Sequence, residues 1–173
     1  MNNTFGKPII PKNEKQRLKA LKEYADLNGL PDIYFNAIAV TIAKTFNAPI
    51  ALVSLVASEH VEFKGNYGME GVYTVDRGLS LCSLAILDPD PTIFPDARKE
   101  PCLLNNPLVA GEFGLQFYAG VPLTTKEGYN IGTVCIVDKE PREFSEKDTA
   151  LLSKFSKSII SELENRKILK EKV

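Results

Sequence analysis

The chain has 173 residues, 44% of them hydrophobic and 25% charged, the composition of a globular chain able to bury a core without disulfides or a structural metal. Its 21 Lys and Arg against 22 Asp and Glu leave a formal net charge of -1, so no whole-molecule field draws nucleic acid or an anionic membrane. One His, three Cys and no Trp leave little stock for metal, haem or imidazole chemistry.

Residues 1–12 are polar and rich in Asn, Gly and Pro, and read as disordered. From Glu14 to Leu27, Leu18, Leu21 and Ala25 recur at helical spacing, with Asn28 and Gly29 as a stop. Pro31 and Asp32 open a second helix, in which Phe35, Ile38, Ala39, Ile42, Ala43 and Phe46 form one apolar stripe. Ile50 to Ala57 is short, apolar and β-branched, a strand buried on both faces, and Val61 to Tyr67 returns as its hairpin partner. Leu79 to Leu87 reads as a short helix ended by Asp88-Pro89-Asp90-Pro91, followed by a brief strand from Thr92 to Phe94.

Asp96 to Gly114 has no periodicity and is the longest such stretch, which makes it the place to look for a site. Leu115 to Leu123 and Tyr129 to Val137 form a second hairpin, where Gly120 and Gly132 suggest bulges or close backbone approach. Ser145 with Asp148 three residues on forms a capping box for a C-terminal helix carrying Leu152, Phe155, Ile159 and Leu163 on one face. Residues 164–173 extend that helix beyond the core. The order of elements is that of an α+β fold with an antiparallel sheet.

The start of the chain has no cationic segment followed by an apolar stretch, and the longest apolar run, Ala48 to Ala57, is too short to span a membrane. Cys82, Cys102 and Cys135 are odd in number and fit neither a disulfide framework nor a zinc motif, so a reduced, cytoplasmic protein is expected.

The motifs Pro49 to Val56, Phe63-Lys64, Leu81-Cys82 with Ala85-Ile86-Leu87, Pro95-Asp96-Ala97, Asn106-Pro107-Leu108-Val109, Phe117 to Leu123, and Ile131 to Cys135 with Asp138, taken in this order, resemble a GAF domain over about residues 17–163. The resemblance implies a GAF/PAS-like antiparallel sheet of five or six strands with the terminal helices on one face. On the other face it implies a ligand pocket under the Leu79 to Leu87 helix and the Asp96 to Gly114 loop. It further implies a small-molecule-binding sensory or regulatory role in signal transduction, with homodimerisation through the N- and C-terminal helices and a signalling partner protein.

The expected ligand-binding residues are Phe63, Tyr67, Leu81, Cys82, Asp96, Leu115 and Phe117, with Tyr118 as a further aromatic wall. Asp76-Arg77 offers a second source of charge. Catalytic and metal-binding residues are not expected. Haem and bilin relatives place a His at or near the Cys, whereas here Cys82 is followed by Ser83 and Leu84. His60 reads as a solvated turn residue, and Cys135 as core. Two alternatives stay open: a thiol-dependent free methionine-(R)-sulfoxide reductase using Cys82 and Cys102, and a protein-interaction module with a non-functional pocket.

Overall fold

The computed structural model describes residues 1–25 and 32–173. The helical elements are α1 (Glu14–Ala25), α2 (Ile33–Thr45), α3 (Cys82–Ala85), α4 (Pro107–Ala110) and α5 (Glu146–Glu171). The strands are β1 (Ile50–Val56), β2 (His60–Tyr67), β3 (Thr74–Asp76), β4 (Thr92–Phe94), β5 (Phe117–Thr124) and β6 (Asn130–Asp138). The expected helix stop at Asn28-Gly29 and the opening at Pro31 lie outside the described residues. Asp32 caps α2, its side chain accepting from the backbone N–H groups of Tyr34 and Phe35.

All neighbouring strands are antiparallel, in the order β3-β2-β1-β6-β5-β4. The central strands β1, β5 and β6 are buried along nearly their whole length because both sheet faces are covered, which explains their near-continuous apolar runs. On one face α1, α2 and α5 pack Leu21, Tyr24, Phe35, Ile42, Ile159 and Leu163 against alternate residues of the sheet. On the opposite face α3 and the segment 97–115 cover Leu52, Phe63, Tyr118, Cys135 and Val137.

Residues 1–12, expected to be disordered, are held to this second face. Phe5 and Ile9 are buried in its core, and the Thr4 N–H and hydroxyl both donate to the Gly78 carbonyl at 3.1 Å. The loop expected from Asp96 to Gly114 carries more structure than its composition suggests: two 3-10 turns, Ala97–Lys99 and Pro101–Leu103, precede α4. Strand β3 has no counterpart among the expected elements, being three residues long and paired only along one edge.

The capping box at Ser145 forms as expected. The Asp148 N–H donates to Ser145 Oγ at 3.1 Å and the Ser145 N–H to Asp148 Oδ2 at 2.9 Å. Ser145→Ala should therefore cost about 1 kcal/mol, read as a Tm lower by about 2–4 °C in a thermal melt.

Candidate functional site

The second face encloses a cavity of about 40 Å³, walled by side chains that include Phe63, Leu81, Cys82, Leu108, Phe113, Leu115, Tyr118 and Cys135. Its floor is the sheet. Its roof is α3 together with Leu108 of α4 and Phe113 of the loop that leads into β5.

The roof is fixed by polar contacts rather than by helix length. Asn106, fully buried, donates through Nδ2 to the Leu79 carbonyl at 2.7 Å and to Thr4 Oγ1 at 2.9 Å, while its Oδ1 accepts from the Leu108 N–H at 3.0 Å. One side chain thereby joins the N-terminal segment, the approach to α3 and the start of α4. At α3 itself the Cys82 N–H donates to Ser80 Oγ, and the Ser83 hydroxyl donates to the Arg77 carbonyl.

Four of the seven expected binding residues converge on the cavity: Phe63, Leu81, Cys82 and Leu115. Tyr67 does not. In an unbroken strand Phe63 and Tyr67, four residues apart, would share a face. The pairing of β1 with β2 shifts between Val53 and Ser54, which face Gly65 and Phe63 respectively, so Lys64 is bulged out and the faces exchange. Tyr67 accordingly packs with the helices.

Phe117 is likewise on the helix face, and its neighbour Tyr118 takes the cavity position, since consecutive strand residues point to opposite faces. Asp96 stands apart as well. It caps the turn Ala97–Lys99, and its carboxylate takes the Arg98 guanidinium at 3.1 Å, which holds its pKa below the ordinary carboxylate value. Asp76 and Arg77 are engaged within the fold, Asp76 with the Gly78 N–H and Arg77 with Glu14. His60 is exposed at the start of β2.

Cys135, expected as core, is buried in the second face and also lines the cavity. It lies in mid-sheet between Leu52 of β1 and Gly120 of β5, and its sulfur is 4.0 Å from that of Cys82. The Tyr118 hydroxyl donates to Cys82 Sγ at 3.4 Å. A Cβ at Gly120 would come within 2.7 Å of Tyr118 Cε1, so this glycine is what lets the Tyr118 ring lie across β5 and aim at the thiol.

Cys82 is the more acidic of the two thiols: the contact with Cys135 first, outweighing burial, and then the nearby hydroxyls of Ser54, Thr133 and Tyr118 draw its pKa down. The same contact with Cys82, together with burial, pushes Cys135 up. The Ser54 and Thr133 hydroxyls are themselves 2.9 Å apart beneath the pair. The reductase reading requires Cys102 near Cys82, but the sulfur against Cys82 is that of Cys135. Cys102 is half-buried in the turn Pro101–Leu103 and is not among the cavity walls.

The family profile described as GAF domain matches residues 31–163, most of the chain. The chain belongs to the GAF domain family. A cyclic di-GMP phosphodiesterase of Pseudomonas aeruginosa is 32% identical over 157 residues, which cover 90% of this chain and 27% of the phosphodiesterase; the GAF chain thus spans about a quarter of that relative. Among solved structures, the GAF domain of a Coxiella burnetii phosphoenolpyruvate-protein phosphotransferase superposes with TM-score 0.67 at 14% identity, over 92% of this chain and 97% of that one. A type II free methionine-R-sulfoxide reductase from Thermoplasma acidophilum superposes with TM-score 0.63 at 21% identity, over 84% and 96%. At these identities the superpositions speak for the fold, the six-stranded GAF sheet with helices on both sides. Among the described residues no helix is long and apolar enough to cross a membrane, and no group of three His, Cys, Asp or Glu is placed to hold a metal.

Proposed function

We propose that this GAF domain is a sensory or regulatory module of signal transduction that binds a small molecule under α3 and works as a homodimer through its terminal helices. One observation carries the reading: the roof of the cavity is tied to a terminal helix. Ser83 in α3 donates to the Arg77 carbonyl, and the Arg77 guanidinium meets Glu14 in the first turn of α1. A ligand that lifts α3 therefore pulls on α1.

The cavity as it stands is far below the roughly 300–1,000 Å³ of sites that enclose a metabolite, so binding requires the roof to open. Opening is easiest at α4, a single turn with no buried residue, whereas α3 is buried throughout and has to be displaced from the apolar face. Ile168 and Leu169 at the exposed end of α5 offer apolar surface for pairing with a second copy. Likeness to about a quarter of a cyclic di-GMP phosphodiesterase supports a place beside second-messenger turnover as a regulator of such an enzyme.

Thermal-shift measurements against nucleotides, cyclic di-GMP, amino acids and aromatic metabolites, with native mass spectrometry of the freshly purified protein, test the proposal. A specific ligand at a hundredfold excess over its Kd adds about 2.7 kcal/mol, a Tm rise of about 5–11 °C, and native spectra should show a dimer. The small cavity favours one competing reading, a protein-interaction module with a closed pocket. Unchanged melting with every compound, together with ligand-free spectra, would overturn the ligand-sensor reading and leave that one standing.

A further inference from the structure

We propose that Cys82 and Cys135 form a redox couple: a small hydroperoxide entering the cavity oxidises Cys82, and Cys135 then closes a disulfide onto it. The inference goes beyond ligand sensing and stands whether or not the pocket takes a metabolite.

The geometry supports each step. Both sulfurs line the same cavity, whose volume of about 40 Å³ exceeds the roughly 10–15 Å³ needed for a water on this measure, enough for hydrogen peroxide and too little for a bulky oxidant. The Cys82 sulfur receives the Tyr118 hydroxyl at 3.4 Å and faces the Cys135 sulfur at 4.0 Å. A disulfide needs about 2.05 Å between sulfurs, so roughly 2 Å must be closed. Cys135 is fixed in mid-sheet, whereas Cys82 is the first residue of a single helical turn tethered by Ser80 and Ser83, so α3 makes the approach.

In the first step the deprotonated Cys82 sulfur attacks the distal peroxide oxygen. The O–O bond breaks, and the leaving oxygen takes up the proton that the thiol released and departs as water from hydrogen peroxide, or as an alcohol from an alkyl hydroperoxide. Cys82 is left as a sulfenic acid. In the second step the Cys135 sulfur attacks Cys82, the S–S bond forms, the S–O bond breaks, and the hydroxyl leaves as water with the Cys135 proton. Two thiols lose two electrons and the peroxide gains them. The Tyr118 hydroxyl aimed at its sulfur, with the Cys135 thiol beside it, makes Cys82 the attacking thiol, since the thiolate is the nucleophile. Because Ser83 and Arg77 connect α3 to Glu14, the same movement reaches α1.

The test uses the full chain, reduced, desalted and exposed to hydrogen peroxide, then unfolded in an alkylating agent and mapped by peptide mass spectrometry. The expected product is a cross-link between the peptides of Cys82 and Cys135, reversed by dithiothreitol and still formed in Cys102→Ser. In Cys135→Ser the expected product is a dimedone-reactive sulfenic acid on Cys82. Free, alkylatable Cys82 and Cys135 under conditions that oxidise the half-buried Cys102 would overturn the proposal, as would a cross-link that uses Cys102. Tyr118 acts as a positioning residue: Tyr118→Phe should move the pH midpoint of cross-linking upward by about one unit while leaving the same product. An unmoved midpoint would remove Tyr118 from that role.

Discussion

Glu14→Ala is expected to lower stability by about 3 kcal/mol or more, because removing one partner of a buried ion pair leaves an uncompensated charge behind. Here it leaves two. The Arg17 side chain is 1% exposed and that of Arg77 is 0% exposed, and both guanidinium groups turn to the one carboxylate. Arg17 donates to it from Nε at 2.9 Å and from Nη2 at 3.0 Å, and Arg77 from Nη2 at 3.1 Å. Arg77 Nη1 also donates to Glu14 Oε1, and the two arginines reach backbone carbonyls as well: Arg17 Nη1 that of Val56 at 2.7 Å, and Arg77 Nη1 those of Ala57 at 3.1 Å and Ser58 at 3.3 Å. Carbonyl dipoles solvate a cation but do not neutralise it, and Arg77 Nε has no partner among the described residues. With alanine at position 14 the two buried cations repel each other without a counter-charge. The expected readout is an earlier urea midpoint with an unchanged slope. A change under about 0.5 kcal/mol would mean that water already screens the cluster.

The cluster also sets an acid limit. Burial raises the Glu14 pKa, but hydrogen bonds from Arg17 and then Arg77, with their charges, outweigh it and bring the group from 4.5 to about 2. A folded-state pKa below the unfolded one gives stability that is whole above about pH 4.5 and is lost as the pH falls toward 2. The gap between wild type and Glu14→Ala should therefore be constant from neutral pH down to about 5 and close below it. A gap of the same size near pH 2 would contradict the pairing.

The sequence shows the fold more fully than the site, for a physical reason. Ser145 with Asp148 and the stripe from Phe35 to Phe46 are local patterns, and they form the elements expected of them. The site depends on which face each strand residue takes. Alternation guarantees that Phe117 and Tyr118 part company, but nothing local says which of them faces the cavity. The bulge at Lys64 reverses parity within β2, and its local sign, Gly65 beside it, marks an irregularity without saying which residue is displaced; the bulge so separates Phe63 from Tyr67. Long-range pairings are equally silent: Glu14 with Arg17 is legible at three residues' spacing, whereas Glu14 with Arg77 joins residues 63 apart. Cys82 with Cys135, and Phe5 and Ile9 with the pocket face, are of the same kind.

Gly132→Ala is expected to cost about 3 kcal/mol, a Tm lower by about 6–12 °C. Gly132 sits in β6 opposite Leu55 of β1, where the β1 backbone leaves no room for a side chain. An added Cβ would overlap the Ser54 carbonyl oxygen and stand 2.9 Å from its carbon and 3.0 Å from Leu55 Cα. All three atoms are backbone, so no rotamer change relieves the clash; β1 and β6 would have to separate. Separation is costly because the strands are buried on both faces and because Ser54 and Thr133 hold their hydroxyl contact at this level. Gly128 supplies the contrast. It has φ of 90° in the hairpin turn with open space around it, so Gly128→Ala strains only the backbone conformation and should cost about 1 kcal/mol. The close-approach argument requires the two losses to differ clearly by chemical denaturation, with the mid-strand glycine the larger. Since Thr133 and Cys135 follow on the same strand, Gly132→Ala should also disturb the two thiols, slowing formation of the Cys82–Cys135 cross-link, whereas Gly128→Ala should leave its rate unchanged.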